Sequence, residues 1–137
     1  MKPISIQMYS LREEVKKTDA KTVMKKVADI GFKAIEPAGF YEMTPAEYKK
    51  LAASFGLEIL SSHSPWLNGE NTNEVVETMK VLGLDIAAAG YGPDDFKDMD
   101  AIKKTADTIN KLTDKMEKAG LKLFLHNHAW EFERLDG

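Results

Sequence analysis

The sequence predicts an α/β protein built from parallel strand and helix units, and three observations carry that reading. An amphipathic stretch, then Gly, then a short apolar run recurs four times. Strands and helices alternate strictly, which requires parallel strands joined by right-handed crossovers, with helices packed on the sheet. Polar and aromatic residues collect where successive strands end.

The four recurrences are Ile30-Gly31-Phe32-Lys33-Ala34-Ile35, Phe55-Gly56-Leu57-Glu58-Ile59-Leu60, Leu82-Gly83-Leu84-Asp85-Ile86-Ala87 and Ala119-Gly120-Leu121-Lys122-Leu123-Phe124. A Gly just past a helix end adopts the left-handed conformation without a Cβ clash, so each closes a helix and releases the chain into a strand. Strands are therefore expected at 4–9, 33–37, 57–63, 85–90 and 121–128.

The helices between them carry their own signals. Val23, Val27 and Ile30 stand at i, i+4 and i+7 with Lys21, Lys25, Lys26 and Asp29 between them, an apolar stripe beside a charged face. Thr44-Pro45-Ala46-Glu47 is a capping box with Pro at the first helical position, and Tyr48, Leu51, Ala52 and Phe55 form the stripe that follows. Asn73 is the expected N-cap for Val75, Val76, Met79 and Leu82. Asp98 or Asp100 opens the longest helix, with Ile102, Ala106, Ile109, Leu112 and Met116 on one face. The expected count is five strands and four helices.

Composition narrows the function classes. The 137 residues suit a single domain, and 43% hydrophobic with 30% charged residues is the balance of an ordinary globular protein. Lys and Arg number 19 against 22 acids, for a net charge of −3, and they form no basic stripe. Nucleic acid is not an expected partner. The absence of Cys removes disulfides, thiolate metal sites and thiol catalysis, leaving His, Asp and Glu as the only metal ligands. No apolar run approaches the roughly 18 residues of a membrane span, and Met1-Lys2-Pro3-Ile4-Ser5-Ile6 opens no secretory leader. The expected location is the cytoplasm, away from membranes.

Five strands fit either a doubly wound sheet or part of a (β/α)₈ barrel. A doubly wound sheet needs a fifth helix, and only Ala129 to Gly137 follow strand five. It also needs a phosphate loop after strand one, where Met8-Tyr9-Ser10-Leu11 stands, or an acidic cluster, where Gln7, Tyr9 and His63 stand. Four and a half units average about 30 residues each, which extrapolates to the roughly 250 residues of a complete barrel. The expectation is an incomplete barrel, with residues 1–137 as its N-terminal half.

A barrel gathers its active site at the C-terminal ends of its strands. The residues there are Gln7 and Tyr9, Glu36, Ser61 and His63, Tyr91, then His126, Asn127 and His128. Strand alternation puts His126 and His128 on one face, with Leu123, Leu125 and Asn127 on the other. One strand-end His is ordinarily a hydrogen-bonded structural residue; all three His of the chain in this position favour a site. Glu36 suits either a site or a loop cap. Trp66 and Trp130 suit either stacking on a sugar ring or loop packing.

At these residues the chain resembles the xylose isomerase-like barrel superfamily, which includes sugar phosphate isomerases and epimerases. The matching segments are Ile6-Gln7-Met8-Tyr9-Ser10-Leu11, residues 31–40 around Glu36-Pro37, Leu60-Ser61-Ser62-His63 and Leu125-His126-Asn127-His128-Ala129-Trp130-Glu131-Phe132. The resemblance implies a small sugar or keto-sugar substrate and a divalent metal, manganese as a rule. It also implies proton transfer next to a carbonyl, the metal polarising the carbonyl while a carboxylate moves the proton. It implies Tyr9, Glu36, His63, Trp66 and His128 as substrate-binding residues, and His126, where many members carry a metal-binding Glu, as the one metal ligand. Strands six to eight, which would bring the other ligands and the catalytic acid or base, are absent from the sequence. The chain alone is then expected to be inactive. The alternative is a non-catalytic binding module or half-barrel that self-associates to cover its open strand edges.

Overall fold

A computed structural model describes residues 3–135. The elements run β1 (Ser5–Gln7), α1 (Arg12–Lys17), α2 (Ala20–Ile30), β2 (Ala34–Glu36), α3 (Pro45–Ser54), β3 (Glu58–Ile59), α4 (Thr72–Leu82), β4 (Ile86–Ala89), α5 (Met99–Lys118) and β5 (Lys122–Leu125). Short 3₁₀ turns follow β1, β4 and β5 at Met8–Leu11, Pro93–Phe96 and Trp130–Phe132. Every strand pairing is parallel, as the alternation requires.

The expected helices form, and the structure adds α1 to the four read from sequence. No apolar stripe announces α1; its exposed turn is laced by Lys16–Glu13 and Lys17–Glu14 ion pairs at 2.9 and 2.8 Å. Gly31 and Gly83 close α2 and α4 in the left-handed conformation, φ +113° and +81°. The Thr44–Glu47 capping box is complete, with Glu47 N–H donating to Thr44 Oγ1 at 3.2 Å and Thr44 N–H to Glu47 Oε2 at 2.8 Å. Asp98, rather than Asp100, caps α5, accepting from Ala101 N–H at 2.8 Å.

Two helix details depart from the sequence expectation. α4 begins at Thr72, with Asn71 and not Asn73 at its N-cap. The Asn71 side chain is held in the preceding loop, donating to Trp66 O at 2.7 Å and accepting from Asn68 N–H at 3.0 Å. On α5, Thr105 is buried while Ala106 is exposed. Thr105 Oγ1 donates to Asp95 O at 3.1 Å, which satisfies the hydroxyl and turns that face inward.

The strands are shorter than expected, and they form two separate sheets. One has the order β1-β2-β3 and the other is the pair β4-β5. Among the described residues no ladder joins β3 to β4. The chain after β3 bridges the gap instead, with His63 N–H donating to Pro37 O at 2.8 Å and Leu67 N–H to Ala88 O at 3.0 Å. Each sheet has its own core: Met8, Val23, Met24, Val27, Ile35, Tyr48 and Ala52 under the first, Leu67, Val75, Met79, Leu82, Leu112 and Met116 under the second. Phe40 and Ile59 pack against both, so the two sheets share one apolar layer. No helix among the described residues is long and apolar enough to cross a membrane.

Candidate functional site

The parallel register sets the first two polar residues side by side. Gln7 ends β1 and Glu36 ends β2, and they are direct partners in the ladder. Gln7 Nε2 donates to Glu36 Oε1 at 2.5 Å, and Ser61, beyond β3, donates its hydroxyl to Glu36 Oε2. The amide orientation follows from chemistry, since the reverse would set an amide oxygen against the carboxylate. His63 Nδ1 stands 3.3 Å from the same Gln7 nitrogen and 3.7 Å from Glu36 Oε1. With an NH₂ group facing it, Nδ1 acts as the acceptor and Nε2 carries the proton of the neutral ring. Burial, then repulsion from His126, lowers the His63 pKa below its ordinary value, with the Glu36 charge working partly against them.

β5 brings the other imidazoles. His126 N–H donates to Ala89 O at 2.9 Å, which continues the β4–β5 pairing one residue past β5. The His126 ring lies 4.5 Å from that of His63 and 4.8 Å from that of His128, edge to face in both cases. The His128 ring stacks on Trp130 at 4.0 Å with an interplanar angle of 16°. Trp130 Nε1 donates to Tyr91 O at 3.2 Å, fixing the far end of the stack. His128 N–H donates to Glu131 Oε2 at 2.7 Å, and its ring Nδ1 is 3.4 Å from Oε1. Burial opposes the Glu131 carboxylate, yet hydrogen bonds from its own backbone N–H and from His128 hold its pKa below the usual carboxylate value.

These groups surround one cavity of about 460 Å³. Gln7 and Tyr9 line it from β1, Ala38 from beyond β2, His63, Ser64 and Trp66 from beyond β3, and His126 and His128 from beyond β5. Trp66 stands edge to face with His63 at 4.4 Å and with His126 at 5.5 Å. Of the residues singled out in the sequence, Gln7, Tyr9, His63, Trp66, His126 and His128 face this cavity. Glu36 stands behind Gln7 and Ser61 and anchors them. Tyr9 is half exposed, with the Arg12 guanidinium 4.2 Å over its ring.

Glu131 and Gly90 escaped the sequence reading. The first has a local signal, an acid three residues after His128, whereas the second has none, because its partner Trp66 is 24 positions away. Among the described residues no three His, Asp or Glu side chains converge in a way that would hold a metal ion.

A family model described as xylose isomerase-like TIM barrel matches residues 24–135. Two solved structures are similar over nearly the whole chain. One is a sugar phosphate isomerase/epimerase from Parabacteroides distasonis, 26% identical with a TM-score of 0.66, the match covering 98% of this chain and 54% of that one. The other is an AP endonuclease, family 2, from Brucella melitensis, 13% identical with a TM-score of 0.64, covering 90% of this chain and 55% of that one. The second likeness shows the fold alone. The chain spans about half the length of both proteins. No curated protein matches it.

Proposed function

Because this chain belongs to the xylose isomerase-like TIM-barrel family, we propose that it forms the N-terminal half of a barrel that isomerises or epimerises a sugar or sugar phosphate. The observation that carries this reading is the convergence of Gln7, Tyr9, His63, Trp66, His126 and His128 on one cavity at the strand ends. The similar sugar phosphate isomerase/epimerase supports the substrate class.

The reaction class moves a proton on and off a carbon next to a carbonyl, so the site has to hold the sugar oxygens and orient that carbon. His63, with Nδ1 turned to Gln7, offers Nε2–H to a sugar oxygen. Tyr9 and His128 offer further polar contacts, and Trp66 an apolar face for the sugar C–H groups. Glu36 acts through Gln7 and Ser61, holding His63 in register rather than touching the sugar.

The described residues do not by themselves fit a divalent metal. Manganese, the cation the resemblance implies, belongs to the proposal only for the complete barrel, with His126 supplying one ligand. No part of the scheme for this chain runs through it. The chain alone is proposed to be inactive. Metal-dependent epimerisation of a ketohexose by the complete barrel, lost on His126→Ala, is the expected result; undiminished turnover by that variant contradicts the role given to His126.

One observation favours a second reading, a half-barrel that self-associates without turnover. On β5, Phe124 and Leu125 are 42% and 45% exposed, and β5 pairs with β4 alone among the described residues. An apolar strand edge of this kind is a template for another strand. Light scattering separates the readings, since a stable monomer at high micromolar concentration contradicts self-association.

A further inference from the structure

Gly90 follows β4 directly and sits beneath the indole of Trp66. A Cβ at this position would overlap the six-membered ring, and the ring carbons Cη2 and Cε3 would lie 2.5 and 2.9 Å from it. The backbone is no obstacle to a side chain, because Gly90 is not among the glycines with positive φ. The indole alone excludes one.

The backbone at Trp66 is held on both sides of the indole. Its carbonyl accepts from Asn71 Nδ2 at 2.7 Å, and the next residue, Leu67, is buried and donates its N–H to Ala88 O at 3.0 Å. The rings of His63 and His126 flank the indole edge to face, at 4.4 and 5.5 Å. A displaced indole therefore changes its packing against the imidazoles that line the cavity.

We infer that Gly90 is a positioning residue for the ligand cavity, its missing side chain forming the socket that seats Trp66 between His63 and His126. The identity of the ligand rests on the sugar reading above; the seating of Trp66 does not. Gly90 does not itself line the cavity, so its effect on binding passes through the indole.

The test is a double-variant cycle on the chain, with Gly90→Ala, Trp66→Leu and the two combined. The readouts are the His63 and His126 imidazole resonances, the urea midpoint and the binding of D-fructose as a ketohexose probe. Gly90→Ala is expected to shift both imidazoles and lower the midpoint in the parent chain, and to do neither in the Trp66→Leu background. Fructose binding is expected to weaken at least about tenfold on Gly90→Ala, as when a binding wall moves by about an ångström. Equal effects of Gly90→Ala in both backgrounds overturn the inference, as does coupling of the resonances with unchanged fructose binding. If Gly90→Ala does not fold, folding of the combined variant supports the socket and failure of the combined variant overturns it. Coupled resonances with no fructose bound by any variant support the seating and count against the sugar reading alone.

Discussion

Gln7 donates to Glu36 at 2.5 Å across the β1–β2 ladder, and the same amide nitrogen faces His63 Nδ1 at 3.3 Å. One neutral side chain thus couples the ends of β1 and β2 to the loop that follows β3. Gln7→Leu removes the donor from a carboxylate that is only partly solvated. A loss of about 2 kcal/mol is expected, the scale of a hydrogen bond to a charged group. Urea unfolding of the variant checks it, together with reorientation of the His63 ring by NMR.

Acid is expected to weaken the fold through His63. Its pKa in the folded chain is lowered from 6.5, chiefly by burial and then by His126. Between the folded value and 6.5 the unfolded chain binds more protons, so this contribution is full above pH 6.5 and declines as pH falls below it. Urea midpoints measured from neutral pH downwards should show that decline, and His63→Asn should flatten it.

Tyr48 is fully buried among Phe40, Tyr41 and the α2 side chains, and its hydroxyl has no hydrogen-bond partner among the described residues. Burial pushes its pKa well above the ordinary tyrosine value. Tyr48→Phe keeps the ring and removes an unsatisfied polar atom, so stability is expected to rise by about 1 kcal/mol. A raised urea midpoint with unchanged slope checks it.

On the self-association reading, the exposed apolar residues of β5 predict a concentration-dependent association. Replacing Leu125 with Lys places a charge on an apolar edge that otherwise invites pairing. The variant should scatter light as a monomer at concentrations where the parent chain associates.

What could be read from the sequence was what depends on neighbours along the chain. The helix stops at Gly31 and Gly83 and the capping box at Thr44 and Glu47 are local events, and they appear where the pattern puts them. The gathering of His63, His126 and His128 around one cavity follows from their places just past parallel strands, whereas Trp66 reaches it from the loop after β3. Helix α4 starts at Thr72, with Asn71 at the N-cap position and no side-chain cap bond, because the Asn71 side chain is tied to Trp66 and Asn68 in the loop before it, a geometry that no spacing encodes. The gap between β3 and β4 depends on where the 60–67 segment threads, again a matter of tertiary contact. Gly90 illustrates the limit most clearly, since its meaning lies wholly in the ring of Trp66.

The most direct measurement is solvent exchange. A ketohexose incubated in D₂O with the complete barrel and manganese should gain deuterium at the carbon next to its carbonyl, followed by proton NMR. Variants at His63 and His126 should slow the gain, and the 137-residue chain alone should show none. Absence of exchange by the complete barrel across ketohexoses and their phosphates would contradict the isomerase and epimerase reading of this site.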